Sequence, residues 1–256
     1  MAFRVGLIFC LPNFSDDFYR FVWDGRLLVE GQNPFDFLPG DWMATLDASA
    51  TAKWQGLYDQ MNSRPYYSVY PPVLQSVFWL SAKLTGGDLY WSVAIMKSFV
   101  VMAEGLSIWV LVKLLKHWNL PRKQALLYAL NPLVIMELTG NLHFEAFMIC
   151  FLLAAIWLLT NHRVWAAAPV LALSIGSKLL PVLIFPFLIR RMKVKRLTHG
   201  RFLAFGALTF VLCLGMFALL LDLENLPHFQ ESVRHYFQKF EFNGGLYYLL
   251  LSLIHI

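Results

Sequence analysis

Long apolar runs separated by short polar connections constrain this chain more than any other feature. Hydrophobic side chains make up 58% of its 256 residues and charged side chains only 14%, whereas soluble domains have about 25% charged residues. Several runs approach the ~20 residues that cross the hydrocarbon core of a bilayer. The sequence therefore predicts an all-α, polytopic transmembrane helical bundle. The apolar runs are 69–84, 89–115, 124–138, 146–160, 164–189, 202–221 and 246 onward.

Both ends of the chain are predicted to be incomplete. Residues 1–11 are too few for a full span, so they are interpreted as the remnant of a first transmembrane helix. The last run, from 246, also stops short of a crossing. Its final residues, 251–256 (LSLIHI), match the in-frame translation of a common sequencing adaptor and are interpreted as a scar.

Residues 12–68 form a polar block that holds eight of the 16 acidic residues. Such a density of charge cannot lie in hydrocarbon, so the block is predicted to be a large extramembrane loop. Ser15-Asp16-Asp17 has the composition of a helix cap, and a helix is expected from there to about Gly31. A second, weaker helix is expected over residues 40–62. Residues 69–250 are assigned to the transmembrane bundle.

Basic residues indicate the orientation of the bundle. Residues 190–201 hold six of the 21 Lys and Arg between two apolar runs. If 69–84 stays at the interface and 164–189 is a hairpin broken at Lys178, all short basic loops face the cytoplasm. This charge distribution does not predict a nucleic-acid partner. The segments predicted to share the opposite, extracytoplasmic side are 12–68, 139–145, Lys178 and 223–245.

Asp17, Arg20 and Asp24 are predicted to share one face of the first helix, because they fall within 60° of one another at about 100° per residue. A carboxylate beside an arginine could serve as a general base. The alternative is an N-cap followed by an ordinary surface ion pair. Spacing alone leaves both interpretations open.

Three further charged residues lie within apolar runs. An unpaired charge at the bilayer centre costs roughly 2.5–3.5 kcal/mol, so each is expected to have a ligand or a partner. Lys178 could bind a phosphate or pair structurally with Glu145. Lys97 and Glu104 share one face of the 89–115 run and could be functional or pair with a group such as Glu137. The three cysteines lack the spacing of a disulfide framework or a metal site.

An ordered series of motifs resembles that of bacterial GT-C membrane glycosyltransferases, relatives of the polyprenyl-phosphate-mannose-dependent mannosyltransferases. The resemblance covers about residues 12–190. The motifs are SDDFYRFVWDGR (15–26), GQNPF (31–35), YPP (70–72), NPL (131–133), GNLHFE (140–145) and KLLP (178–181).

The resemblance implies an inverting transfer of a sugar, predicted to be mannose, on the extracytoplasmic side of the inner membrane of a bacterium. The implied donor is a polyprenyl-phosphate sugar, and the acceptor is a hydroxyl of a glycan or glycolipid. It also implies that an acid of the first outer loop is the general base. Asp17 is favoured as this base and Asp16 as its neighbour. The residues predicted to bind substrate are Arg20, Asp24, Arg26, Tyr70, His143, Glu145 and Lys178.

The need for a cofactor stays open, because a divalent cation could be held by Glu145 with Asp16 and Asp17. No metal ligand is assigned. Two other functions compete with transfer: a transporter or flippase of lipid-linked sugars, and a non-catalytic assembly protein. Intramembrane charges and a discontinuous helix would suit a transporter. Concentration of half the acids in one outer loop favours the enzyme.

Overall fold

The computed structural model describes residues 1–184 and 199–239, together with the single positions Phe187 and Ser252. These residues form helices and turns without a β-strand among them, which confirms the all-α prediction. Most of the basic cluster at 190–201 and the run from 246, with all of the predicted scar except Ser252, lie outside the described residues.

Twelve α-helices are used below as labels for the described residues. Two 3₁₀ turns (Arg122–Ala125 and Leu180–Ile184) and a π-helical turn (Ile135–Gly140) lie between them. The helices are α1 (Ala2–Leu7), α2 (Asp17–Val29), α3 (Pro39–Thr45), α4 (Ala48–Gln60), α5 (Pro72–Thr85), α6 (Leu89–His117), α7 (Leu126–Ala129), α8 (Pro132–Val134), α9 (Glu145–Thr160), α10 (Val164–Ser177), α11 (His199–Phe217) and α12 (Leu226–Lys239).

Two of the described helices, α6 and α11, are long and apolar enough to cross a membrane. Helix α6 has 29 residues, and Asp88 caps it by accepting a hydrogen bond of 2.9 Å from the Trp91 backbone N–H. A third candidate span combines residues 132–140 with α9, but the second part is bent by 114° relative to the first. The chain is therefore an α-helical membrane protein, as its composition predicts.

The apolar run 124–138 does not form the continuous helix that its composition suggests. It divides at Asn131-Pro132, where proline has no N–H to continue the helix. The Asn131 side chain instead accepts a hydrogen bond of 3.0 Å from the Leu133 N–H and starts α8. The next turn, 135–140, is a π-helix, so the chain arrives at α9 through a bend.

The polar block is helical, as predicted, but it contains three helices. Helix α2 begins at Asp17 and ends before Gly31, whose φ of 76° suits glycine. The expected helix over 40–62 is two helices, because the backbone is extended at Leu46. Asp47 then caps α4, and the N–H groups of Ala50 and Ser49 that bond to its carboxylate hold the pKa of Asp47 below its ordinary value.

Helices α2 and α5 pack side by side and run in the same direction. Gly25 makes their close approach possible, since a Cβ there would meet the carbonyl carbon of Phe78 at 2.8 Å. In the first half of α2, Phe21 stacks on Phe78 in the middle of α5 at 4.9 Å, and it meets the ring of Tyr70, which precedes α5, edge-on at 5.0 Å. Helix α5 has 14 residues, about 21 Å, which is shorter than the ~30 Å hydrocarbon core.

The membrane helices have two chemically different ends. Helices α9 and α10 are antiparallel, whereas α6 and α9 run in the same direction. Trp109 of α6 meets Trp157 of α9 at 6.0 Å, towards the C-terminal ends of these two helices. We call that end the basic end; it carries Lys113, Lys116, Arg122, Lys123 and Arg163. Glu145 and Lys178 lie at the opposite end of α9 and α10.

Helix α12 packs against the polar block, as expected for two segments on the same side of the membrane. Its His228 ring stacks on Tyr67 at 4.0 Å, and the Ser232 hydroxyl donates a hydrogen bond of 3.0 Å to the Tyr67 carbonyl. Burial, with the charges of Asp41 and Glu231, raises the pKa of Tyr67. The residues 223–239 thus lie over the loop that precedes α5.

Candidate functional site

Four of the predicted site residues come from distant parts of the chain to one end of the bundle. We call this the motif end and define it by Asp17, Tyr70, Glu145 and Lys178. Asp17 begins α2, Tyr70 precedes α5, Glu145 begins α9, and Lys178 follows α10. The helices meet through an aromatic cluster in which Phe144 contacts Phe21 at 5.2 Å and Phe78 at 5.3 Å.

Lys178 pairs with Glu145 at the point where α10 ends. Its backbone leaves the helix in an extended conformation, with φ −160° and ψ 138°, so the predicted break at this residue is confirmed. The Lys178 Nζ donates to Glu145 Oε1, and 35% of each side chain is exposed. The pair is the structural partnership that the sequence allowed, and it lies where a ligand could reach both charges.

His143 belongs to a turn that connects the π-helical segment to α9. Its Nδ1 atom lies 3.2 Å from Glu137 Oε2, and both side chains are partly exposed. The preceding residue, Leu142, has a φ of 59° although it is not glycine. A non-glycine residue held in this region costs of order 1–3 kcal/mol and is concentrated at functional sites in proteins.

Buried charges hold this turn from the inside. Lys97 is 0% exposed, and its ammonium donates to the carbonyls of Gly140 at 2.8 Å and Cys10 at 2.6 Å. Glu104, also 0% exposed, accepts from Thr139 at 2.5 Å and from Arg4 at 2.8 Å. Both residues therefore have the structural role that the sequence left open, although their partners do not include Glu137.

Arg20 and Asp24 are paired inside the protein, with exposures of 2% and 0%. Their side chains meet at 2.7 Å, which agrees with the predicted shared helix face. The Arg20 guanidinium also donates to the Tyr66 carbonyl at 2.8 Å, and the Asp24 carboxylate accepts from Ser68 at 2.5 Å and from Gln75 at 2.9 Å. The pair is thus a buried connection between α2 and the 63–68 loop and is not the surface ion pair that the sequence left open as one alternative.

Arg26 lies about two turns after Arg20 on α2, away from the motif end. Its guanidinium donates two hydrogen bonds, of 2.9 and 2.7 Å, to the Gly87 carbonyl at the far end of α5. A third hydrogen bond of 2.9 Å goes to the Lys53 carbonyl in α4. Protein carbonyls thus occupy the Arg26 guanidinium, which ties three helices together.

Asp16 and Asp17 lie at the beginning of α2, at the surface. Asp16 is exposed, Asp17 is half-buried, and the Asp17 backbone N–H donates to the Ser15 hydroxyl at 3.4 Å. Carboxylates at a helix N-terminus are favoured in their charged form by the helix dipole. The geometry at Asp17 suits a base that substrate could reach, and Phe21, one turn later, links Asp17 to the aromatic cluster.

A grouping of Glu145 with Asp16 and Asp17 around a cation is not formed. Among residues 1–184 and 199–239, no set of three or more His, Cys, Asp or Glu side chains is arranged to hold a metal ion. Glu145 is engaged by Lys178 instead.

Sequence reasoning missed several residues that shape the site. Glu137 was named only as a possible structural partner, yet it contacts His143. Ser68 and Gln75 were missed because single uncharged polar residues carry no recognisable spacing. Arg4 lies 100 residues from its partner Glu104. Its signal was available, since an arginine within an apolar segment needs a partner.

The chain is similar to bacterial proteins named as mannosyltransferases. It is 26% identical to Alpha-(1->6)-mannopyranosyltransferase A of Mycobacterium tuberculosis over 222 residues, covering 84% of this chain and 41% of that protein. It is 21% identical to Alpha-(1->6)-mannopyranosyltransferase A of Corynebacterium glutamicum over 192 residues, covering 73% and 37% of the two chains. The chain thus spans less than half the length of these curated relatives. No solved structure gives a significant match.

A family model described as "Alpha-(1->6)-mannopyranosyltransferase, N-terminal domain" matches residues 1–193. That range contains every predicted site residue, from Asp16 to Lys178. It also contains α2, α5, α9 and α10, the helices whose ends meet at the motif end. Because the match covers 193 of 256 residues, the chain belongs to the MptA_B family.

Proposed function

We propose that this chain forms part of a membrane glycosyltransferase that moves mannose from a polyprenyl-phosphate carrier to a hydroxyl of a glycan or glycolipid. The names of its relatives support an α-(1→6) linkage in the product. The proposed site is the motif end, on the extracytoplasmic side of the bacterial inner membrane. The proposal includes inversion at the anomeric carbon, with an aspartate as general base.

One observation carries this proposal: the motif end and the basic end lie at opposite ends of the same helices. Five basic residues of α6, α9 and their connections lie at the basic end, and cytoplasmic loops are enriched in Lys and Arg. The motif end would then face away from the cytoplasm. An amphiphilic donor held in the outer leaflet would present its phosphate at this depth.

Asp17 is the proposed base, with Asp16 beside it. The base would take the proton from the acceptor hydroxyl while the oxygen attacks the anomeric carbon and the bond to the phosphate oxygen breaks. The leaving phosphate gains negative charge, which an aimed ammonium group stabilises strongly in a partly dry site. Lys178 is the proposed ammonium group. Its partner Glu145 would keep the lysine charged and oriented until phosphate replaces the carboxylate.

Tyr70 and His143 are the proposed contacts to the sugar or its acceptor. Tyr70 packs against Phe21 and Phe78, which fixes its ring. Arg20, Asp24 and Arg26 receive a different role from the one that the motifs implied. Since Arg20 and Asp24 are buried and all three side chains are hydrogen-bonded to protein groups, we propose that they position α2 and the 63–68 loop without touching substrate.

The test is transfer of radiolabelled mannose from polyprenyl-phosphate mannose by the full-length natural protein in detergent. Asp17→Asn should reduce the rate about 10²- to 10⁴-fold, the range for loss of a general base. Asp59→Asn is the matched control, because Asp59 is an exposed acid of the same polar block. Full activity of both Asp17→Asn and Asp16→Asn would remove the proposed base.

The stereochemistry provides a second test. An inverting enzyme that makes an α linkage requires a donor in which the sugar–phosphate bond is β. The β-linked donor should therefore be used and the α-linked donor should not. Equal use of both anomers would contradict inversion. Movement of the lipid-linked sugar across vesicles without transfer to any acceptor would favour the competing flippase.

A further inference from the structure

We propose that Glu137 is a positioning residue of this site, acting through His143. Its carboxylate would accept a hydrogen bond from Nδ1–H of His143, and Nε2 of the same ring would then accept one from a sugar hydroxyl. This inference rests on the proposed function and deepens it. The chemical class that the ring would recognise is a neutral polyol, either the mannose donor or the acceptor.

The first support is the geometry of the pair. Glu137 Oε2 lies 3.2 Å from His143 Nδ1, and 44% of the Glu137 side chain and 30% of the His143 side chain remain exposed. A neutral imidazole has one donor nitrogen and one acceptor nitrogen, and the bond that one nitrogen makes selects the role of the other. If Nδ1 of a neutral ring donates to Glu137, Nε2 is left as an acceptor.

The second support is the backbone that brings the two residues together. Glu137 lies on the π-helical turn 135–140, and such turns occur frequently at functional sites. The backbone N–H of His143 bonds to the Glu137 and Leu138 carbonyls at 3.3 and 3.0 Å. Glu137 and His143 are six residues apart. In a regular α-helix their side chains would not meet, because only side chains at i,i+3 and i,i+4 are neighbours.

The third support is that the fold restrains this turn without using Glu137. Lys97 bonds to the Gly140 carbonyl and Glu104 bonds to the Thr139 hydroxyl, so buried groups already hold the backbone from within. The Glu137 carboxylate is therefore not needed to satisfy a buried charge. Among residues 1–184 and 199–239, the Glu137 carboxylate contacts His143 and, at 3.4 Å, the side chain of Asn141.

The last support is that the two glutamates near His143 have different basic partners. The Glu145 carboxylate accepts a hydrogen bond from Lys178. Glu137 is the carboxylate that contacts the imidazole. The Glu137–His143 pair would recognise a sugar hydroxyl, and the Glu145–Lys178 pair would bind the phosphate.

The test is a double-mutant cycle on mannose transfer with Glu137→Ala, His143→Ala and the combined variant. Glu137→Ala alone should slow transfer about 10- to 100-fold, by analogy with partners that orient metal-binding imidazoles. In the His143→Ala background, the same change should alter the rate by less than about twofold, since interacting residues are non-additive. Independent, multiplicative losses would overturn the inference.

Two further variants separate positioning from structural damage. Glu137→Gln keeps an oxygen that can accept from Nδ1–H, so it should retain more transfer than Glu137→Ala; equal losses would count against the inference. Glu30→Ala, an exposed glutamate at the end of α2, is the matched control and should be fully active. If the wild-type protein transfers no mannose, the proposed function fails, whereas activity with additive losses rejects the role of Glu137 alone.

Discussion

The interior between α2 and α5 and the motif end both contain salt bridges, but the protein uses them differently. Arg20 and Asp24 are almost completely buried, and backbone carbonyls, Ser68 and Gln75 supply further hydrogen bonds. Glu145 and Lys178 keep 35% of each side chain exposed. The comparison shows that motif membership does not reveal whether a charge is available, because this depends on which other groups already occupy it.

The energetic consequences of the two environments are opposite. Removal of one member of a buried pair leaves an uncompensated charge in a medium of low dielectric constant. A partly exposed pair contributes about 0–1 kcal/mol, because water solvates each member when the other is absent. The interior pair should therefore control stability, and the exposed pair should control activity. The following variants test that division, beginning with the largest expected effect on stability.

Asp24→Ala should lower the free energy of unfolding by about 3–5 kcal/mol, the usual cost of breaking a buried pair. Arg20 would lose the carboxylate that accepts its hydrogen bond of 2.7 Å. The measurement is thermal unfolding in detergent. Arg20→Met combined with Asp24→Ala should recover much of the loss, because no buried charge remains. If the double variant is no more stable than Asp24→Ala, lost packing rather than orphaned charge explains the cost.

Gly25→Ala should destabilise the protein by about 1–3 kcal/mol, the typical cost of overpacking. The new methyl group would collide with the Phe78 backbone carbonyl, which forces α2 and α5 apart. Gly56→Ala in α4 is the matched control, since its Cβ would meet nothing within 4 Å. The control should be stabilised by about 0.5–1 kcal/mol. Equal melting temperatures for the two variants would contradict the close approach.

Lys178→Met should change the free energy of unfolding by less than about 1 kcal/mol, since the pair is partly exposed. Transfer should nevertheless fall about 10²- to 10³-fold, the range for loss of one group that stabilises charge in the transition state. Melting temperature and transfer rate are measured on the same preparation. A large loss of stability with little loss of activity would contradict the proposal that the exposed pair controls activity and the buried pair controls stability.

Cysteine labelling tests the orientation without affecting stability. In a background where Cys10, Cys150 and Cys213 are replaced, a cysteine at position 41 should react with a membrane-impermeant reagent added outside the cell. A cysteine at position 116, on the basic end, should react only after the membrane is permeabilised. Both native side chains are exposed. The reverse pattern would refute the proposed orientation.

The predictable parts of the fold were those governed by local chemistry. The acidic cap at Asp16-Asp17 and the glycine at 31 bounded α2 correctly, and the polar interruption before Lys178 marked a true helix break. The run 124–138 was less predictable. Its apolar composition indicated one helix, but Asn131-Pro132 and a π-helical turn divide it. Hydrophobicity reports burial in lipid or protein and does not by itself report helix continuity.

The sequence selected candidate site residues but could not give their contacts. The motif pattern selected His143, Glu145 and Lys178, and the structure brings the last two together. The same pattern selected Arg20 and Asp24, which are buried. It could not select Glu137, because the contact with His143 depends on an irregular turn. Pairings such as Arg4 with Glu104, 100 residues apart, depend on how the helices pack.

Composition and charge placement determined by themselves that this is a helical membrane protein with a polar, helical block and two unlike ends. These properties follow from the transfer of apolar and charged side chains between water and lipid, which depends on residue type. Tertiary structure alone decided which charges are available. Whether Arg20, Lys97 or Lys178 can meet a ligand depends on the carbonyls and carboxylates that surround it. Apart from Asp24, which lies on the same helix as Arg20, those groups come from segments far away in the chain.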